Sequence, residues 1–263
     1  MAFTSWALKR QIFYITGLIL FFAIIAFLII YPSTQKAPTC TDSIQNGNET
    51  GIDCGGSCPN ACLSQVIPVY VKWARVFEVV PGRYNAVAYV VNSNKTYAAE
   101  KVSYRFRFAD GNNVYIGSRV GTTFIPPGSN FAIFEPAIGI GNSIPIYTTF
   151  EFTETPNWIQ VPQNKIDQLK VLVSNMSLTD EKTAPRLSAT IENKSLFSIP
   201  NVNVVAILYN ISGNAVSASN TFLNQLNPLQ TSDINFTWPE PFSSPVVSKE
   251  FIPMYDISSV QLQ

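Results

Sequence analysis

The longest hydrophobic stretch lies near the amino terminus, where residues 12–31 run for twenty residues without a charge. At about 1.5 Å per residue, a helix of this length crosses the roughly 30 Å hydrocarbon core of a bilayer. The alternative is a cleaved signal peptide. Its apolar core is usually only about 7–15 residues long and ends in a small-x-small site, which the following YPSTQKAPT does not clearly supply. We therefore predict a transmembrane helix that stays in place as an anchor.

The basic residues beside this stretch predict its orientation. Lys9 and Arg10 precede it directly, whereas the first basic residue after it is Lys36. Cytoplasmic flanks carry the excess of basic residues. We expect a single-pass plasma-membrane protein with a cytoplasmic N-terminus and extracytoplasmic C-terminal domains.

Further along the chain, the hydrophobic pattern changes to a period of two. In VSYRFRFAD (102–110), apolar residues alternate with Ser103, Arg105 and Arg107, which predicts a half-buried strand. VNVVAILYN (202–210) is apolar on both faces for most of its length, as is typical of a more central strand. Glycine and asparagine in the following ADGNN and NISGN favour turns between strands.

These patterns belong to a weak internal repeat with a shift of about 101 residues. Four pairs agree at that shift: Asn92 with Asn193, Pro127 with Pro228, Ile133 with Ile234, and Phe150 with Phe251. About 100 residues of short antiparallel strands is the size of an immunoglobulin-like sandwich. The predicted fold is mainly β, with an N-terminal transmembrane helix, a small disulfide-rich segment and two tandem immunoglobulin-like β-sandwiches. The predicted ranges are cytoplasmic N-terminus 1–11, transmembrane helix 12–31, Cys-rich stalk 32–66, first β-sandwich 67–157, linker 158–167 and second β-sandwich 168–263.

Composition narrows the possible functions. Charged residues make up 13% of the chain and the formal net charge is zero, so there is no electrostatic footprint for nucleic acid. The chain contains no histidine, which removes the commonest general base and most catalytic zinc sites. We predict no catalytic residues and no cofactor.

All four cysteines lie within residues 40–62 and predict two disulfides. An exported chain meets an oxidising compartment, and a segment this small cannot hold itself together by apolar burial. Three pairings are possible. The alternative is a zinc site, which usually uses two CxxC knuckles, whereas the gaps here are not of that form. The four cysteines are Cys40, Cys54, Cys58 and Cys62.

The same segment gathers side-chain oxygens that make weak calcium candidates, namely Asp42, Asn46, Glu49 and Asp53. The competing interpretation is that they cap turns through local hydrogen bonds, as Asn and Asp do in Gly-rich loops. The spacing is not that of an EF-hand, and we favour turn capping.

The segment resembles a short motif of bacterial surface and secreted proteins, CxDxxxNxxExGxDCGGxC. It departs from the commonest form at Ser43, where that motif often has glycine, and in the gap before Cys62, which is one residue longer. The resemblance implies a bacterial envelope setting and carries no activity. The matching residues are Cys40, Asp42, Asn46, Glu49, Gly51, Asp53, Cys54, Gly55, Gly56 and Cys58.

The repeat resembles the FxLYD family of bacterial extracytoplasmic domains, in which an asparagine precedes F-x-L-Y-D. The second copy has AILYN (206–210) with Asn193 upstream, and the first has FRFAD (106–110). The resemblance implies a β-sandwich outside the membrane. Because the family has no established chemistry, it implies no reaction.

Together these features predict an extracytoplasmic interaction or scaffold protein without catalysis, held by its membrane helix. Its partner would be an envelope or surface protein or a glycan, and the loop 136–145 is a candidate contact surface. One alternative is an envelope enzyme or enzyme-complex subunit that uses carboxylates such as Asp110, Glu135 or Glu240. Another is a calcium-binding stalk protein. Trp73, Trp158 and Trp238 could stack on sugars, but we expect them to be packed.

Overall fold

The computed structural model describes residues 3–34, 37–141 and 143–261. The predicted N-terminus, Cys-rich stalk and second sandwich each include one or two residues outside these ranges, and so does the loop 136–145.

Helix α1 covers Phe3–Thr34 and contains the predicted span 12–31. Its apolar part, Trp6–Tyr31, is long enough to cross a membrane. Two short 3₁₀ helices, Leu63–Gln65 and Ile257–Ser259, occur later in the chain.

The first sandwich contains two antiparallel sheets. One has the strand order β1-β2-β5, and the other has the order β4-β3-β6, with β7 also pairing with β3. The predicted alternation in β3 is confirmed, because Phe106 and Phe108 are buried while Arg107 is exposed. The strands are β1 Tyr70–Val80, β2 Arg83–Val91, β3 Tyr97–Ala109, β4 Tyr115–Ile125, β5 Asn130–Ile138, β6 Tyr147–Phe152 and β7 Trp158–Gln160.

The second sandwich follows helix α2, Gln163–Gln168, and repeats the pairing of β1 to β6 without a counterpart of β7. Its sheets have the orders β12-β9-β8 and β11-β10-β13. The strands are β8 Val171–Thr179, β9 Arg186–Asn193, β10 Ile199–Tyr209, β11 Ala215–Leu226, β12 Thr231–Thr237 and β13 Ser248–Met254.

The residues that agree in the sequence repeat occupy equivalent positions. Ile133 pairs with Ala88 across β5 and β2, and Ile234 pairs with Ala189 across β12 and β9. The chain thus contains two copies of one sandwich.

A buried asparagine fastens the same loop in each copy. The side-chain nitrogen of Asn92 donates to the carbonyl oxygens of Tyr97 and Pro126 at 2.9 and 2.8 Å. The side-chain nitrogen of Asn193 lies 2.7, 3.1 and 2.9 Å from three carbonyl oxygens, those of Phe197, Leu226 and Asn227. These bonds satisfy carbonyl oxygens at strand ends and in the adjoining loops.

The two sandwiches pack face to face, so that four sheets form successive layers. Val205 and Ile207 on β10 are fully buried in the same cluster as residues of β2. The alternate residues Val204 and Ala206 are buried in the core of the second sandwich. Strand β10 is therefore covered on both sides, which explains why residues 204–208 are apolar without interruption.

The range predicted as a linker, 158–167, contains ordered elements. Its first residues form β7, where Trp158 pairs with Ala99 and is 5% exposed. This part of the range belongs to the first sandwich, and α2 follows within three residues.

Candidate functional site

The cysteine segment is closed by two disulfides, Cys40–Cys58 and Cys54–Cys62. All four sulfurs are consumed, so the thiolates that the zinc alternative required do not exist. Glycine is needed at Gly56, where φ is +62° and a Cβ would overlap the carbonyl oxygen of Asn48. The absence of a side chain at Gly56 therefore lets its backbone lie directly against the backbone of Asn48.

The calcium candidates are engaged in local turns. Both carboxylate oxygens of Asp53 accept from the N–H of Ser43, at 3.1 and 2.9 Å. One oxygen of Glu49 accepts from the N–H groups of Asn46 and Asp53 at 3.2 and 3.3 Å. The hydrogen bond from Asn46 to Asp42 lowers the pKa of that carboxyl. These contacts cap turns of the cysteine segment, and the choice between turn capping and calcium binding stays a prediction.

The cysteine segment is fastened to the first sandwich. The N–H of Ala61 donates to the carbonyl of Trp158, and that of Gln160 donates to the carbonyl of Pro59, each at 2.8 Å. Asn94 clamps Ile67, because its side chain accepts from the N–H and donates to the carbonyl at 2.7 and 2.6 Å. The segment is thus a docked extension of the sandwich.

The three carboxylates proposed for an enzyme lie in three different settings. Asp110 caps the β3–β4 turn, where one oxygen accepts from the N–H groups of Asn112 and Val114 at 2.9 Å. Glu240 is exposed in a loop. The third, Glu135, is buried on β5.

Glu135 is fully engaged inside the first sandwich. It accepts from the Tyr104 hydroxyl at 2.6 Å and from the Arg119 guanidinium at 3.0 Å. Burial and this hydrogen bond raise the pKa of Tyr104. The network gives each carboxylate oxygen of this buried acid a hydrogen-bond partner.

The tryptophans proposed as sugar platforms are packed. Trp158 and Trp238 are each 5% exposed. Trp73 is half-buried and stacks on Tyr89 with ring centroids 5.4 Å apart. Only part of the loop 136–145 is exposed. Ile138 and Ile140 pack on the core, whereas Ile144 is 62% exposed.

A polar cluster joins the two sandwiches. The hydroxyls of Tyr89 and Tyr209 donate to the two carboxylate oxygens of Glu250 at 2.7 and 2.6 Å. Burial and the Glu250 carboxylate raise the pKa of Tyr89 to about 12 and also raise that of Tyr209. Arg75 donates to Asn214. Glu250 is therefore held by one phenol from each copy, which fixes how the sandwiches meet.

Next to this cluster lies a cleft of about 750 Å³, and it is our candidate site. Five consecutive residues of β1, Ala74–Glu78, form one side. The other walls are the start of β6, with Ile146 and Thr148, and two loops of the second sandwich. Clefts at domain interfaces are favoured places for ligands. Glu78 is the one acid among the lining residues, so the cleft does not hold the acid pair that glycoside hydrolysis needs.

Two buried hydroxyls on these walls have no hydrogen-bond partner among the described residues. They are Oγ1 of Thr148 and Oγ of Ser244. Buried polar atoms are usually satisfied, so two orphans in one cleft are unusual. Sequence reasoning missed this site because Thr148 lies within an ordinary strand pattern and Ser244 in a polar loop.

Comparisons with known proteins give no family for the chain. No protein-family model matches it, and no curated protein is significantly similar. Among solved structures, a crystal structure of red sea bream transglutaminase aligns with 69% of this chain at 10% identity and a TM-score of 0.22. The alignment covers 29% of that protein's length. A similarity this low carries no argument about function, and the resemblance to FxLYD domains stays a prediction.

Proposed function

We propose that this chain is a membrane-anchored extracytoplasmic interaction protein that displays a rigid pair of β-sandwiches without catalysis. Helix α1 supplies the anchor, and the basic residues Lys9 and Arg10 before it favour a cytoplasmic N-terminus. Two disulfides fit an oxidising compartment.

The observation that carries this proposal is the continuity of packing from the cysteine segment to the second sandwich. The segment is bonded to β7 and to Asn94, and the second sandwich is joined to the first through a buried apolar layer and Glu250. A flexible tether would need none of these contacts. Their presence favours a fixed support that holds surfaces at a set position above a bilayer.

The first test is membrane topology. Intact cells that produce the full chain are treated with a protease and, separately, with a membrane-impermeant maleimide before and after external reduction. We expect the sandwiches to be cleaved from outside, and the cysteines to be labelled only after reduction. Labelling without reduction, or protection from external protease, contradicts the proposal.

The second test addresses interaction itself. A membrane-impermeant crosslinker is applied to cells that carry the full chain or its Ile207→Arg variant, in which the buried layer between the sandwiches is disrupted. We expect discrete crosslinked products with the native chain that are lost from the variant at equal surface abundance. Identical products from both chains would show that the paired arrangement is not what is recognised.

A further inference from the structure

Six N-x-S/T sequences, the acceptors for N-linked glycosylation in exported proteins, occur along the chain, and the structure divides them by accessibility. Asn94 and Asn193 are 4% and 0% exposed, and their side-chain nitrogens donate to backbone carbonyls. The folded chain therefore has no room for a sugar at either position. Asn210 is half-buried, and its side-chain oxygen accepts from two N–H groups of the turn between β10 and β11. The exposed acceptors are Asn48, Asn175 and Asn235.

The exposed acceptors lie in two different settings. Asn48 belongs to the disulfide-closed cysteine segment, where the hydroxyl of Thr50 in its acceptor sequence accepts from Gln65 at 3.1 Å. Asn175 and Asn235 lie in one sheet of the second sandwich, on its two outer strands β8 and β12. This pair is considered further because neither acceptor sequence is enclosed by a cross-linked loop.

Asn175 lies at a bulge in the edge strand β8. The register of β8 against β9 shifts between Ser174 and Ser177, so one extra residue is inserted there. The backbone of Asn175 is left-handed at this point, with φ of +51°, a conformation that asparagine adopts more readily than most residues. All of residues 174–177 are exposed. The bulge therefore presents the whole acceptor sequence to solvent.

Asn235 lies on the same outer face of the sheet. Exposed and buried residues alternate along β12, so Asn235 and Asp233 share its outward side. Two side-chain hydrogen bonds cross this face, from Asn175 to Thr190 at 3.4 Å and from Thr190 to Asp233 at 3.3 Å. Since neighbouring strands are about 4.8 Å apart, the two acceptors are separated by about 10 Å.

We propose that Asn175 and Asn235 carry N-linked glycans on this outer face. The inference goes beyond the proposed function but rests on the extracytoplasmic location that it includes. The donor is an oligosaccharide linked to a lipid through pyrophosphate. The side-chain nitrogen of asparagine attacks the anomeric carbon of the sugar and loses one proton to a base of the transferase. A C–N bond forms as the bond from that carbon to the phosphate oxygen breaks, and the lipid pyrophosphate leaves.

The position of this sheet in the stack gives the glycans a physical role. The sheet is one end layer of the four, and Ser188 and Thr190 on its central strand are uncharged. The other end layer carries the charges of Arg105, Arg107 and Glu151. Exposed sheets without such charges are prone to pair with other sheets. Glycans are bulky and solubilising, so two of them would protect this face as charges protect the other.

The test uses the full chain purified from the membranes of the cells that naturally produce it. Glycopeptides are mapped by mass spectrometry with fragmentation that leaves the glycan attached to its residue. We expect glycans on Asn175 and Asn235 and unmodified side chains at Asn94 and Asn193.

Variants produced in the same cells test whether the acceptor sequence is what is recognised. Ser177→Ala keeps Asn175 but removes its acceptor sequence, and it should abolish the glycan at that residue alone. Thr237→Ala should do the same for Asn235. The matched controls Ser177→Thr and Thr237→Ser keep the acceptor sequences and should keep both glycans.

Several results would overturn the inference. One is a glycan on only one of Asn175 and Asn235, and another is a glycan that persists after its acceptor hydroxyl is removed. A glycan on Asn94 or Asn193 would show that accessibility in the fold does not select the sites. Unmodified side chains at both proposed positions, in a chain whose sandwiches are cleaved by external protease, refute this inference alone. An inward topology refutes the proposed function.

Discussion

The two sandwiches share one topology but differ in which of their faces meets water. The sheet β4-β3-β6 of the first copy has an open outer face, whereas the equivalent sheet β11-β10-β13 is covered by its neighbour. At equivalent positions about 100 residues apart, the open face carries Arg105 and Arg107, and the covered face carries Val205 and Ile207. The fold accepts either charged or apolar residues on this outer face, because the inner face of the sheet is apolar in each copy.

The charged positions on the open face are also paired. Arg105 and Arg107 lie 2.6 and 3.2 Å from the same carboxylate oxygen of Glu151 on β6. Exposed pairs of this kind add little stability. Their main consequence is that another sheet could cover this face only by desolvating three charges, which keeps the layering at four.

The largest expected effect comes from exchanging these residues. Ile207→Arg places a guanidinium in a fully buried layer, and we expect a loss of about 4 kcal/mol of unfolding free energy. Urea unfolding of the full chain in nanodiscs, followed by tryptophan fluorescence, measures it. Arg107→Ile is the matched exchange on the open face and should change stability by less than about 1 kcal/mol.

A milder substitution tests the same layer. Ile207→Val keeps the site apolar and should cost only about 1 kcal/mol. If Ile207→Arg costs no more than Ile207→Val, the sandwiches do not pack through this layer and the paired arrangement is wrong.

The duplicated asparagines allow a second comparison. Asn193→Ala removes the side-chain nitrogen whose two N–H groups form hydrogen bonds with three carbonyl oxygens, and we expect a loss of about 3 kcal/mol. Asn92→Ala removes two such bonds and should cost somewhat less. Asn235→Ala, on an exposed strand position, serves as the control and should cost almost nothing. Equal, small losses at all three sites would contradict the fastening role.

Much of this fold could be predicted because it depends on local periodicity. The alternation in β3 predicts one solvent-exposed face, and the mainly apolar residues 202–208 predict a more central strand. The asparagines and isoleucines that match at a shift of 101 residues predict which strands of the two copies are equivalent. The cysteines predicted disulfides, but four cysteines allow three pairings, and their spacing does not choose among them.

The candidate site could not be predicted in this way. The cleft exists because the edge of β1 meets loops of the second sandwich, and no pattern in either segment reveals that meeting. Thr148 lies 95 residues before Ser243 in the chain, and Ala74–Glu78 lie further still. The packing of the two sandwiches also depends on Glu250, which binds a tyrosine from each. In the sequence, nothing distinguishes Glu250 from any other charged residue in a strand.

The smallest expected effect concerns the phenols on Glu250, and it appears at high pH. The pKa of Tyr89 is raised to about 12 in the folded protein by burial and by the Glu250 carboxylate, while an unfolded tyrosine ionises near 10. The contribution of a raised pKa is fully present below the unfolded value. Stability should therefore be flat up to about pH 10 and then fall by about 2 kcal/mol toward pH 12 as Tyr89 ionises.

Rapid urea unfolding between pH 8 and 12 tests this dependence, with Tyr89→Phe/Tyr209→Phe as the informative variant. It should cost about 2 kcal/mol at pH 8, because Glu250 loses both donors, and it should flatten most of the alkaline fall. A residual fall is expected from Tyr104, which is bonded to Glu135 inside the first sandwich. Tyr115→Phe alters an exposed phenol and should reproduce the native profile. A native-like fall in the double variant would assign the alkaline transition to phenols elsewhere, such as Tyr104 and Tyr255, rather than to the junction between the sandwiches.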